Sequence, residues 1–325
     1  MKNMPNLLEI KNLKTHFVSK KNTVPAVDGV SLSIKQGETV AIVGESGCGK
    51  SITSLSIMQL VPEPNGEIVG GTILFNGKNL LECTEEEMCH VRGKDVSMIF
   101  QDPMTSLNPV LTIGEQLMEV VVHHQKKSKQ AAYERAISLL KMVGFSNPED
   151  IMKNYPHRLS GGMRQRVMIA MAMICNPSLL IADEPTTALD VTIQAQIIEL
   201  MKELNDQYAT SILLITHDLG IVSEMAEKVV VMYAGQVVEE ASVEELFSNA
   251  LHPYTEGLIR SIPVMEGERK ELYSIPGNVP SPEDFPDHCR FATRCSKAFA
   301  RCFQGQPNLI QQTETQFVRC FLYEE

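Results

Sequence analysis

Three stretches of the 325-residue chain predict an α/β fold in which a buried parallel sheet is joined to an antiparallel β portion and a helical portion. Gly44-Glu45-Ser46-Gly47-Cys48-Gly49-Lys50-Ser51 reads G-x-x-x-x-G-K-S between an apolar run at residues 39–43 and a periodic run at 52–58. That is the strand, glycine loop and helix of a phosphate-binding P-loop. Residues 178–185 form a second apolar run, which ends in Asp183 and Glu184. Residues 7–34 alternate apolar and polar in short pieces, the pattern of half-buried antiparallel strands with a loop near residues 19–25.

The P-loop chemistry follows from its residue types. Gly44, Gly47 and Gly49 let the backbone curl so that successive N–H groups, those of Glu45, Ser46 and Cys48 among them, face one anion. The helix that begins near Gly49 adds its positive dipole end. Lys50 reaches β- and γ-phosphates, and the Ser51 hydroxyl holds Mg²⁺. The sequence therefore predicts binding of a nucleoside triphosphate.

Composition narrows the setting. A net charge of −11 argues against a broad nucleic-acid surface. Met1-Lys2-Asn3-Met4-Pro5-Asn6 has no apolar signal region, and the longest apolar run, residues 167–175, is too short for a membrane span. A cytoplasmic location is expected, and in it the eight cysteines are not expected to form structural disulfides.

Along the chain, Phe17 sits between the first strands, where an aromatic serves either to stack on a purine or to pack inward. A further strand pair is expected around residues 71–77. Met98-Ile99-Phe100-Gln101-Asp102-Pro103 closes a strand on Gln101, which is placed to ligate Mg²⁺ or position water. Residues 112–147 turn helical, with Ile113, Gln116, Leu117 and Val120 on one face. Leu159-Ser160-Gly161-Gly162 then opens an apolar helix with a Ser N-cap and uncovered N–H groups, a second anion-binding start.

The strand at 178–183 delivers its acids side by side, as a Walker B strand does. Asp183 is expected to hold Mg²⁺ through water, and Glu184 to polarise the attacking water. Ala188-Leu189-Asp190 precedes a helix over residues 192–208, and a strand at 212–216 ends at His217. Residues 228–240 read as a hairpin turning at Ala234-Gly235-Gln236. Beyond about residue 241 the composition changes. A proline-rich linker at 275–286 runs into Cys289, Cys295, Cys302 and Cys320, four thiols that suit an iron–sulfur cluster, a structural zinc, or no metal at all.

Taken in this order, the P-loop, Gln101, Leu159-Ser160-Gly161-Gly162, Asp183-Glu184, Ala188-Leu189-Asp190 and His217 resemble the ATP-binding subunit of an ABC transporter. The resemblance implies a P-loop NTPase fold of ABC type over residues 1–240. It includes an antiparallel β subdomain, a helical signature subdomain at about 105–174, and a small Cys-rich C-terminal extension over 241–325. It also implies that Ser160, Gly161 and Gly162 contact the γ-phosphate across a dimer interface. Asp190 lies in the loop joining the two sites, His217 is a switch histidine, and Phe17 stands where the base-stacking aromatic does. Met163 departs from the usual glutamine.

Phe100-Gln101-Asp102-Pro103-Met104-Thr105-Ser106-Leu107-Asn108-Pro109, His252-Pro253-Tyr254-Thr255 and the cysteine pattern look like the oligopeptide/dipeptide importer branch, which also includes nickel importers. What that branch implies is a second ATPase subunit, two membrane permeases, an extracytoplasmic peptide-binding protein, and a place at the cytoplasmic face of the membrane. Its cofactors would be ATP, Mg²⁺ and a [4Fe–4S] cluster, with Zn²⁺ as the alternative. A soluble ABC ATPase is the rival, disfavoured by a single P-loop and the absence of a long coiled-coil insertion.

Overall fold

A computed structural model of the chain describes residues 6–19, 22–101, 106–187, 189–262 and 273–324. It divides into two compact units. The first gathers Asn6–Ile34, Thr39–Leu81 and the chain from Ile215 onward; the second gathers Lys35–Glu38 and Glu82–Leu214.

The chain starts in the first unit. Strands β1 (Asn6–Val18) and β2 (Thr23–Lys35) are followed by β3 (Thr39–Val43), helix α1 (Lys50–Ile57), β4 (Gly66–Phe75) and β5 (Lys78–Asn79). Sheet order β2-β1-β4-β5 makes the antiparallel portion, with Ile10 opposite Ile73 and Phe17 opposite Gly66. The alternation read from residues 7–34 is realised as two long strands. Leu8, Ile10 and Leu13 of β1 and Val30, Leu32 and Ile34 of β2 are buried.

The second unit follows with α2 (Glu85–Val91), β6 (Val96–Ile99), α3 (Ile113–Gln125), α4 (Lys129–Met142), α5 (Pro148–Lys153), α6 (Gly161–Met173), β7 (Leu179–Asp183), α7 (Val191–Tyr208) and β8 (Ser211–Thr216). Thr84 with Glu87 and Thr112 with Glu115 close capping boxes at the starts of α2 and α3, so local chemistry fixes where both begin. The expected helical stretch at 112–147 is two helices, because Lys126 turns left-handed (φ 52°) at the end of α3 and Ser128 caps α4. Every residue of β7 is buried, as a parallel strand covered on both faces requires. It runs parallel to β6, with Ile99 opposite Ala182, so the ends of both strands lie at one level.

Strand β8 carries the chain back into the first unit. There α8 (Leu219–Met225), β9 (Lys228–Tyr233), β10 (Gln236–Ser242), α9 (Val243–Ser248), α10 (Pro253–Arg260) and the short strands β11 (Ile310–Gln311) and β12 (Phe317–Val318) complete it. Strand order in this unit is β11-β12-β10-β9-β3, with β3 and β9 parallel. The hairpin turn falls where expected, with Ala234 (φ 47°) and Gly235 (φ 82°) both left-handed, as a type I′ turn demands.

Candidate active site

In the first unit, the apolar strand β3 delivers the chain into the glycine loop and α1 takes it away at Lys50. Two glycines are obligatory here. A Cβ on Gly44 (φ 153°) would collide with the Met232 carbonyl oxygen, and one on Gly49 (φ 102°) would sit 2.5 Å from the Ala26 carbonyl oxygen. The loop is pinned from outside by the Gly235 N–H, which donates to the Cys48 carbonyl at 3.0 Å. Lys50 is buried, and its Nζ donates to the carbonyl oxygens of Gly44 (2.7 Å) and Glu45 (3.1 Å). Burial pushes the Cys48 thiol up, opposed by the Lys50 charge, so it stays protonated and inert inside the loop. Ser51 is half-buried on the first turn of α1.

Two residues that sequence reasoning missed grip the same loop. The Glu45 N–H donates to the Tyr254 hydroxyl at 2.9 Å, and the Glu45 carboxylate accepts two bonds from the Arg294 guanidinium, at 2.7 and 3.0 Å. Burial raises the Tyr254 pKa, and the Glu45 charge adds to the effect. Burial opposes the charge of Arg294, yet its bonds to Glu45 and Tyr233 outweigh that and raise its pKa. His217, exposed just past β8, and Phe17, half-buried opposite Gly66 of β4, belong to this unit too.

In the second unit, β7 ends on Asp183, 4% exposed, and the chain turns sharply at Glu184, whose φ of 47° is a strained setting for a side chain with a Cβ. The Glu184 carboxylate accepts from Gln101 Nε2 and from Thr187 Oγ1, each at 2.9 Å. Gln101, expected to ligate Mg²⁺ or position water, thus meets Glu184 directly, because β6 and β7 run parallel and end together. Ser160 caps α6 by accepting the Met163 N–H (3.3 Å), and Asp190 caps α7 by accepting the Ile193 N–H (3.0 Å). Ser160, Gly161, Gly162 and Asp190 share one cleft of about 530 Å³ with Arg166 and Ile193. A Cβ on Gly162 would press on Ile193 at 2.9 Å, so the signature loop and the start of α7 pack as one surface. Asp102, Pro103, Met104, Thr105 and Ala188, which belong to the stretch at 100–109 and the loop before Asp190, lie outside the described residues.

The cysteine segment belongs to the first unit. Cys302 and Cys320 are buried, Cys289 and Cys295 partly so, and Cys289 packs against Ala292, Cys302 and Phe321. Burial raises the thiols of Cys289 and Cys295 and pushes Cys320 up to about 11; the charges of the neighbouring cysteines add to each shift. Backbone hydrogen bonds from two residues on, Phe291 for Cys289, Lys297 for Cys295 and Leu322 for Cys320, pull the same pKa values down without outweighing burial, so the thiols stay protonated. Among the described residues, no three His, Cys, Asp or Glu side chains are grouped tightly enough to hold a metal ion. That counts against a preformed site for the expected [4Fe–4S] cluster as much as for the zinc alternative.

Comparison with known proteins agrees with this geometry. Residues 27–187 match the ABC transporter family, and residues 238–302 match the oligopeptide/dipeptide transporter C-terminal region. The chain is 62% identical to the oligopeptide transport ATP-binding protein AppD of Bacillus subtilis, over 99% of this chain and 98% of that one. It is 48% identical to the dipeptide transport ATP-binding protein DppD of the same organism, over 99% and 96%. Among solved structures, a dimeric ATP-binding cassette in a post-hydrolysis state with ADP and Pi matches with a TM-score of 0.65 at 28% identity. That likeness covers 73% of this chain and 98% of the cassette. The chain belongs to the ABC transporter family, as an ATP-hydrolysing subunit of its oligopeptide/dipeptide branch.

Proposed function

We propose that this chain powers import of oligopeptides or dipeptides by hydrolysing ATP at a site shared with a second ATPase subunit. The peptide reading rests on relatives named for oligopeptide and dipeptide transport that match nearly the whole chain, and those names favour it over nickel. No helix among the described residues is long and apolar enough to cross a membrane. The translocation path therefore belongs to two permeases, against which this chain lies peripherally at the cytoplasmic face. An extracytoplasmic binding protein delivers the peptide.

Residue by residue, the loop Gly44–Ser51 binds the phosphates, Lys50 supplies the positive charge, and Phe17 stacks on the base. Ser51, Gln101 and Asp183 would hold Mg²⁺, which would neutralise charge on the phosphate oxygens. Glu184 accepts the proton of the attacking water while Gln101 and Thr187 fix the direction of its carboxylate. His217 reports on the γ-phosphate. Ser160, Gly161 and Gly162 offer N–H groups to the partner's nucleotide, and Asp190 ties that cleft to the other site. Closure is then favoured only when ATP bridges the subunits.

The observation that carries hydrolysis, as distinct from binding alone, is the pair of donors holding Glu184 at the end of β7. Glu184→Gln is expected to keep ATP binding, trap a closed dimer, and lower turnover by about two orders of magnitude or more. Near-normal turnover in the assembled transporter, with the partner site inactivated in parallel, would overturn the assignment.

In the extension over residues 241–325, Cys289, Cys295, Cys302 and Cys320 would hold a [4Fe–4S] cluster. The support for it is the donor chemistry, four soft cysteine sulfurs in one short segment. When bound, the cluster supplies a covalent cross-link to a segment with only a small core of its own. Protein purified without oxygen should be brown, contain iron and sulfide in equal amounts, and lose both on Cys295→Ser. Colourless protein with stoichiometric zinc would refute the cluster.

A further inference from the structure

An acidic side chain inside a phosphate-binding loop works against its ligand unless its charge is cancelled. Glu45 is the second residue of that loop, and its carboxylate is met by Arg294 through two parallel bonds, Nη1 to Oε2 at 2.7 Å and Nη2 to Oε1 at 3.0 Å. The Arg294 side chain is only 5% exposed. Its Nε donates to the Pro276 carbonyl at 2.9 Å, its Nη1 also reaches the Tyr233 hydroxyl at 3.4 Å, and its guanidinium lies over the rings of Tyr233 and Phe291. This arginine is held in place before it meets the loop, which is what makes a fork–fork pair strong.

The main chain of the same loop residue is held as well, by the Tyr254 hydroxyl at 2.9 Å. Tyr254 is fully buried and packs its ring on Tyr233 (4.7 Å between centroids) and on Phe291 (5.4 Å). Arg294 precedes Cys295 directly, and the Phe291 N–H faces the Cys289 sulfur. Both grips on Glu45 therefore converge on the segment that bears the cysteines.

We propose that Arg294, assisted by Tyr254, is a positioning residue for the phosphate-binding loop, so that ATP affinity depends on the C-terminal cysteine segment. It cancels the Glu45 charge and fixes the loop before nucleotide arrives, which lowers the ordering cost of binding. The proposal rests on the reading of residues 44–51 as the ATP site.

The test is calorimetric titration of the full-length chain with Mg·ATP. Arg294→Gln is expected to weaken ATP binding about tenfold, in line with the loss of a charge-assisted bidentate pair. Adding Glu45→Gln should recover most of that loss, because the unpaired charge is gone. A purely structural role would lower thermal stability without this rescue. An affinity within about twofold of wild type, or a loss that Glu45→Gln leaves untouched, would overturn the proposal. Should Arg294→Gln fail to fold, Tyr254→Phe, which removes one oxygen, replaces it: weakening of about threefold supports the idea and unchanged affinity overturns it. Lys50→Ala serves as the separate control. Wild-type ATP binding by that variant would remove the ATP-site reading itself, whatever Arg294 does.

Discussion

His252 opens α10 from a fully enclosed position, and its ring should make the protein sensitive to mild acid. Its Nδ1 accepts the Tyr254 N–H at 3.0 Å, so a proton there would set two donors against each other. Burial, with the positive Arg319 nearby, pushes its pKa down from 6.5 to about 3. The unfolded chain takes up a proton below about pH 6.5, and the folded chain does not until about pH 3. The stability from keeping His252 neutral is therefore complete above 6.5 and drains away as pH falls toward 3. Between about pH 7.5 and pH 5.5 the loss integrates to about 1.4 kcal/mol. Urea unfolding of wild type and His252→Gln at both pH values measures it, because Gln can still accept the Tyr254 N–H and other titrating groups cancel in the difference. The gap between the two proteins should narrow by about that amount in acid. A gap that does not change with pH would refute the reasoning.

Other outcomes follow from single contacts. Glu239 is wholly buried, with one carboxyl oxygen accepting from Leu251 N–H and Gln316 Nε2 and the other from His252 N–H. Glu239→Gln can keep the first pair but turns an NH₂ toward His252, costing about 1–3 kcal/mol in urea unfolding; an unchanged midpoint would count against that geometry. Gly49→Ala forces a Cβ to within 2.5 Å of the Ala26 carbonyl oxygen at φ 102°. ATP binding should vanish in a nucleotide titration while the circular dichroism spectrum stays near wild type, since the antiparallel sheet does not depend on that residue. Retained ATP affinity would mean that the loop tolerates a different path.

Much of the site is legible in the sequence because its signals are local. The glycine loop, the acids after β7 and the hairpin at Ala234-Gly235 each depend on residues that adjoin in the chain. The Gln101–Glu184 contact is nearly as accessible, since two parallel strands ending together must bring their following residues close. The Glu45 grip is a different matter. Its partners lie 209 and 249 positions away, and neither Tyr254 nor Arg294 carries a mark of its role in its own neighbourhood. Glu239 is hidden for another reason. A register shift between Val237 and Glu239 breaks the strand alternation that would have placed this acid in water. Its burial is tolerable only because backbone and amide donors from later in the chain surround it.

The pairing of β12 with β10 has a consequence for how the protein can be handled. Val318 and Phe317 pair with Glu239 and Glu240, and Arg319 continues the ladder by donating its N–H to the Val238 carbonyl at 2.8 Å. The tail thus covers the open side of β10, the kind of exposed strand edge that otherwise recruits a second chain. A version cut back at residue 240 would bare that edge and the apolar residues beneath it. Such a fragment should associate with itself during expression. The extension therefore works as a built-in guard against aggregation.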